Sequence, residues 1–140
     1  MMKKDHKEKT ENEIFEGIKS LCNGLYYMSE TDAEILPFVG GKVKKLTREK
    51  FAEEIGVTDH SKIEERDFDS FFKRLVEIKD WFGEEEKKMA KRFSELRDFL
   101  IQNLSDLRVF RIGRIEIDIY VVGIDRAGKI VGFKTKAVET

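Results

Sequence analysis

The sequence predicts an α+β fold, with helices packed on an antiparallel sheet. Two apolar stripes of helical period occupy residues 14–25 and 89–104. Beyond residue 104 the apolar period changes from 3.6 to 2 and keeps that pattern to the last residues. A length of 140 residues suits a single domain. Such a domain buries roughly two thirds of its unfolded surface.

Residues 1–9 are lysine-rich and aperiodic and read as a mobile tail, leaving 10–140 as the domain. Thr10-Glu11-Asn12-Glu13 has the spacing of a capping box. Ile14, Phe15, Ile18, Leu21, Cys22 and Leu25 then form one helical stripe, with Gly24 suited to a left-handed C′ position. Ala33–Val39 is apolar and carries the only proline, Pro37, which marks an edge strand. Gly40-Gly41 reads as a turn. Thr47 caps a helix over Arg48–Ile55 that Gly56 closes. Val57–Glu65 is polar and reads as a loop or an extended segment. Asp69 is placed to cap a helix beginning near Ser70. Glu84–Leu104 is the longest helix, opened by Glu84-Glu85-Glu86 at the positive end of its dipole. Met89, Phe93, Leu96, Leu100 and Leu104 mark its buried face. Ile115, Ile117, Ile119 and Val121 alternate with Glu116, Asp118 and Tyr120. Asp125–Gly128 makes a turn, and Val131, Phe133, Thr135 and Ala137 complete a hairpin.

Composition excludes several classes of function. Apolar residues are 40% and include 11 Phe, too many for a disordered tail protein. No apolar run approaches the ~18 residues that span a bilayer, and no apolar segment follows the N-terminal lysines. A soluble cytoplasmic protein with no membrane partner is expected, monomeric when free. The 27 basic and 28 acidic residues leave a net charge of −1, which argues against nucleic acid as the partner. The single cysteine permits no intrachain disulfide.

Catalytic chemistry is poorly represented. His6 lies in the tail, His60 in a polar loop and Cys22 on an apolar stripe, so neither a nucleophile pair nor zinc-ligand spacing is present. Gly40-Gly41 lacks the Lys-Ser/Thr of a phosphate loop. Glu84-Glu85-Glu86 fits a solvated helix start better than a cation site. The aromatics Phe68, Phe71, Phe72, Trp81 and Phe82 fit core packing better than base stacking. No cofactor is implied, and the chain is not expected to be an enzyme. The chain end allows two readings. Residues 134–140 are either a structural strand end or a protruding tip carrying the hard oxygens of Glu139 and Thr140, which magnesium and calcium prefer.

Four stretches together resemble the family of inhibitors of the sugar-nonspecific nuclease A. They are Gly24-Leu25 with Met28-Ser29-Glu30; Asp67-Phe68-Asp69-Ser70-Phe71-Phe72 with Asp80-Trp81; the helix Phe93–Leu104; and Val109-Phe110-Arg111-Ile112-Gly113 with the hairpin that ends Val138-Glu139-Thr140. The similarity spans residues 11–140, with the stretch from Pro37 to Lys62 departing from the pattern. It implies an α-β-α sandwich around a largely antiparallel sheet. It further implies a partner, a nonspecific DNA/RNA endonuclease with a ββα-metal core and one Mg²⁺. The family's contacts at that metal fall on Glu30 and Thr140. The resulting expectation is a proteinaceous inhibitor that plugs the nuclease cleft with its C-terminal strand end and an acidic residue. The alternative is a nucleic-acid-binding module using Arg108, Arg111, Arg114, Lys129, Lys134 and Lys136 of the basic C-terminal hairpin.

Overall fold

The computed structural model describes residues 10–140, and the predicted tail at 1–9 lies outside the described residues. The capping box forms: Glu13 N donates to Thr10 Oγ1 at 3.1 Å, and Thr10 N donates to the Glu13 carboxylate at 2.9 Å. It opens α1 (Glu11–Cys22), which buries Ile14, Ile18 and Cys22. Gly24 takes a φ of +79°, as its predicted C′ role requires. The Arg92 guanidinium donates to the carbonyls of Leu21 and Asn23, tying off that helix end.

Next come β1 (Tyr26–Met28), β2 (Asp32–Glu34), β3 (Leu36–Lys42) and α2 (Arg48–Ile55). A 3-10 turn at His60–Lys62 leads into β4 (Ile63–Arg66), α3 (Phe68–Val76) and α4 (Glu84–Asn103). The chain closes with β5 (Ser105–Ile112), β6 (Glu116–Ile124) and β7 (Lys129–Val138). Strands β1 and β2 form a small hairpin of their own. The main sheet has five strands in the order β3-β7-β6-β5-β4, every neighbour antiparallel.

Alternation along the strands divides the core between two faces. Val109, Ile117, Ile119, Val121, Phe133 and Ala137 pack against α1, α3 and α4. Phe110, Val122 and Ile130 point the other way and meet Leu46, Phe51 and Ala52 at α2. Phe51 stacks on Phe110 with ring centroids 4.7 Å apart and fixes α2 there. Helices on both faces of one antiparallel sheet make the α-β-α sandwich and the α+β class that were expected. Fully buried Phe72, Phe93 and Phe133 anchor the three-helix side. Each such ring contributes about 1.5–3 kcal/mol of burial.

The short helix is bounded as predicted, with Thr47 Oγ1 accepting from Lys50 N at 3.0 Å and Gly56 at φ +78°. Several local expectations are corrected. Gly40-Gly41 is no turn but part of β3, where its register against β7 shifts between Val39 and Lys42. The Glu54 carboxylate accepts from Gly41 N at 2.9 Å. A Cβ on Gly40 or Gly41 would lie 3.0 Å from the Glu54 side chain, so the glycines ease a close approach instead of making a reversal. Asp67, not Asp69, caps α3: its Oδ2 accepts from Ser70 N at 2.9 Å. Asp69 falls in the first turn instead. Trp81 is 72% exposed, because it lies in the link between α3 and α4 and points away from the core that Phe68 and Phe72 fill. Ile115 precedes β6 and is exposed, outside the alternation assigned to it. The hairpin 26–34 has no counterpart among the expectations, and of the segment 57–65 the end is extended, as the start of β4. These strands are too short to show a period.

Gly132 sits at the tightest point of the sheet, where a Cβ would lie 1.9 Å from the Val121 carbonyl oxygen. Overpacking against backbone cannot be relieved by a rotamer change, so Gly132→Ala should cost at least ~2 kcal/mol in urea unfolding. An unchanged midpoint would refute the β6–β7 register described here.

Candidate functional site

The sheet geometry brings two of the residues singled out from sequence into direct contact and places the third beside them. Strand β3 pairs with β7 only as far as Leu36 opposite Lys134. Beyond that point the outer edge of β7 passes to the β1–β2 hairpin. Thr135, a buried polar residue, donates its hydroxyl to the Glu34 carbonyl at 2.9 Å. Val138 N donates to Ser29 Oγ at 3.0 Å, and Glu30 N donates to the Val138 carbonyl at 3.3 Å. The hairpin turn thus satisfies a strand edge that would otherwise be open.

Glu30 projects from that turn onto the chain end. Thr140 N donates to Glu30 Oε2 at 2.9 Å, and the Thr140 hydroxyl donates to the same carboxylate at 2.9 and 3.1 Å. Glu139 faces the other side: its N–H donates to the Ile115 carbonyl at 2.9 Å, and Arg111 Nη2 reaches its carboxylate at 2.9 Å. Glu30, Glu139 and Thr140 are all exposed. A carboxylate has about four lone-pair positions and a hydroxyl two. The Glu30–Thr140 pair therefore still presents acceptor oxygens outward while holding itself together. Exposed Met28 and Ile115, 63% and 59% accessible, add apolar surface at this end of the sheet. Next to Glu139 a cleft of about 480 Å³ runs between Arg111 and α3, lined also by Tyr27, Ser70 and Arg74.

The other candidates are dispersed. Cys22 is buried in the core, and burial pushes its thiol up to about 12, the Arg92 guanidinium opposing only in part. Such a thiol is no nucleophile near neutral pH. Among the described residues no group of three or more His, Cys, Asp or Glu is arranged to hold a metal ion. No described helix is long and apolar enough to cross a membrane. The basic hairpin is not a continuous cationic surface. Arg108 pairs with Glu65 and Asp106 at 2.9 Å, Arg111 with Glu139, and Lys136 with Asp118 at 3.3 Å. These carboxylates neutralise half of the cations on which the nucleic-acid reading relied.

Ser29 was not identified as a site residue from sequence, and Arg111 was identified only as a cation of the nucleic-acid alternative. Arg111 did carry a signal. It shares a strand face with buried Val109, a register in which a guanidinium needs a reason. Ser29 carried none, since a serine in a turn is ordinary.

A family model described as nuclease A inhibitor-like protein matches residues 12–140. The search among curated proteins found no match.

The contact between Glu30 and Thr140 has a pH signature. Hydrogen bonds from the Thr140 N–H and then its hydroxyl hold the Glu30 carboxyl below the usual carboxylate range. The folded pKa lies below the unfolded one. The contact is therefore complete above the ordinary carboxylate pKa and is lost as pH falls through the lowered value. In a ¹³C NMR titration Glu30 should ionise at lower pH than other exposed glutamates, and deleting Thr140 should return it to the ordinary range. A midpoint indifferent to the deletion would mean the contact does not exist in solution.

Proposed function

The chain belongs to the nuclease A inhibitor-like family, and from that premise we propose that it is an inhibitor of a nonspecific DNA/RNA endonuclease and not itself an enzyme. The observation that supports a mechanism is the exposed contact between Glu30 and Thr140, two residues 110 positions apart in sequence. The target is a nuclease with a ββα-metal core. The inhibitor acts as a plug in its cleft, with the metal being the nuclease's own. Hard oxygen ligands suit Mg²⁺, which keeps several waters and accepts carboxylate or neutral oxygen in their place. The Glu30 carboxylate and the Thr140 hydroxyl are such oxygens, exposed on one end of the sheet. Occupying that coordination shell blocks the positions that nucleic-acid phosphates need. Met28 and Ile115 supply apolar contact around it. The complex is one-to-one and the free inhibitor a monomer. It acts in the cytoplasm, where a cell making such a nuclease must shield its own nucleic acid before export.

Titration against a ββα-metal nuclease, with cleavage of DNA and RNA both followed, tests this. Both activities should be abolished at one equivalent and should stay abolished in excess Mg²⁺. Recovery in excess Mg²⁺ with dissociation of the complex would indicate metal stripping and refute the plug. Truncating a charge-assisted contact in a desolvated interface costs about 2–5 kcal/mol, so Glu30→Ala should weaken inhibition at least tenfold. Deleting Thr140, or appending a short tag after it, should weaken inhibition more severely. Thr140→Ser should be mild, and Thr140→Val intermediate. Stability should move by no more than ~0.5 kcal/mol in these exposed-site variants. A tagged protein of unchanged affinity would rule out the plug.

A further inference from the structure

We infer that Arg111 is a positioning residue for the terminal residues, a role that rests on the inhibitory reading above. Beyond Val138 the chain has left the sheet ladder, and residues in that condition ordinarily fray. The turn at Ser29-Glu30 reaches Val138 and Thr140 from one side only. Glu139 lies between them and is held from the other side. Its backbone is fixed to Ile115 and its side chain to Arg111 at 2.9 Å.

Arg111 belongs to β5, and the register runs from Arg111 to Ile119 to Thr135. Its guanidinium therefore extends across β6, over the face that carries the helices, to reach a residue beyond the end of β7. The side chain is only 17% exposed, against 48% for Glu139, so the pair is partly desolvated. Its Nε is buried with no hydrogen-bond partner among the described residues, and its Nη2 contacts the Glu139 carboxylate. A shorter apolar residue would pack this face without an unmet donor. An arginine here is accounted for by what it holds. Gripped from both sides, the last residue is ordered before any partner arrives, and ordering it no longer weakens binding.

A double-mutant cycle on the full chain tests the inference with two readouts. The ¹H–¹⁵N NOE of the Thr140 amide in the free protein reports order at the terminus. The inhibition constant against a ββα-metal nuclease reports function. In the wild type the Thr140 NOE should approach that of β7. Arg111→Met and Glu139→Gln should each lower it toward the value of a free tail, and each should weaken inhibition roughly tenfold, the double variant being no worse than either single. Arg111→Lys should restore part of both. Glu139→Gln lies on the surface and removes the charge from the same pair without touching the sheet, which keeps the test valid if Arg111→Met fails to fold. A Thr140 amide equally ordered in both single variants would overturn the inference, as would strictly additive losses. A loosened terminus with undiminished inhibition would uphold the positioning role and sink the plug.

Discussion

An unpaired strand edge has to be satisfied, and in this protein the way β7 solves that problem organises everything near the candidate site. β7 is an interior strand along its first half, flanked by β6 and β3. After Lys134 the neighbour on one side gives out. The Ser29 hydroxyl and the Glu30 N–H from the 26–34 hairpin take over the Val138 backbone, and the Ala33 and Glu34 carbonyls accept from the Thr135 hydroxyl. The substitution puts the turn against the chain end, and that proximity lets Glu30 reach Thr140. Ordinary hydrogen-bond accounting thus brings together two residues that sequence keeps far apart.

Charge is distributed by the same economy of pairing. The C-terminal hairpin has an excess of basic side chains, yet Arg108, Arg111 and Lys136 each have a carboxylate within 3.3 Å. Arg108 has two acids, and its guanidinium is held more firmly protonated by Glu65 first and Asp106 as well. Exposed pairs of this kind add little stability. Their effect is to remove the attraction for phosphate that a bare basic strip would exert, which favours a protein partner over a polyanion.

Much of the architecture was legible because it rests on local rules. The Thr10 and Thr47 caps, the glycine at 56, the long-helix face and the period-2 strands all depend on residues within a few positions of one another. The errors are equally physical. Asp67 and Asp69 both suit a cap, and only the geometry of Ser70 decides between them. Gly40-Gly41 suggested reversal, whereas the pair lies in a strand that Glu54 approaches closely from α2. The site was half legible. Glu30 and Thr140 emerged from a family resemblance, while the strand face of Arg111 signalled that it needs a partner without naming it, and the partners of Arg111 and Ser29 lie 28 and 109 residues away.

The order of the strands also has a bearing on how the molecule comes into being. β7 follows the other six described strands in chain order, yet it lies inside the sheet, between β6 and β3. A nascent chain that has emerged only through β6 can pair β4, β5 and β6, while β3 waits alone for a neighbour made nearly a hundred residues later. Pairing over such a separation is slow compared with helix formation. Closure of the sheet and completion of the Glu30–Thr140 contact are consequently one late event on the ribosome. A chain cut short before residue 129 has neither, and leaves β3 and the outer edge of β6 as open strand edges.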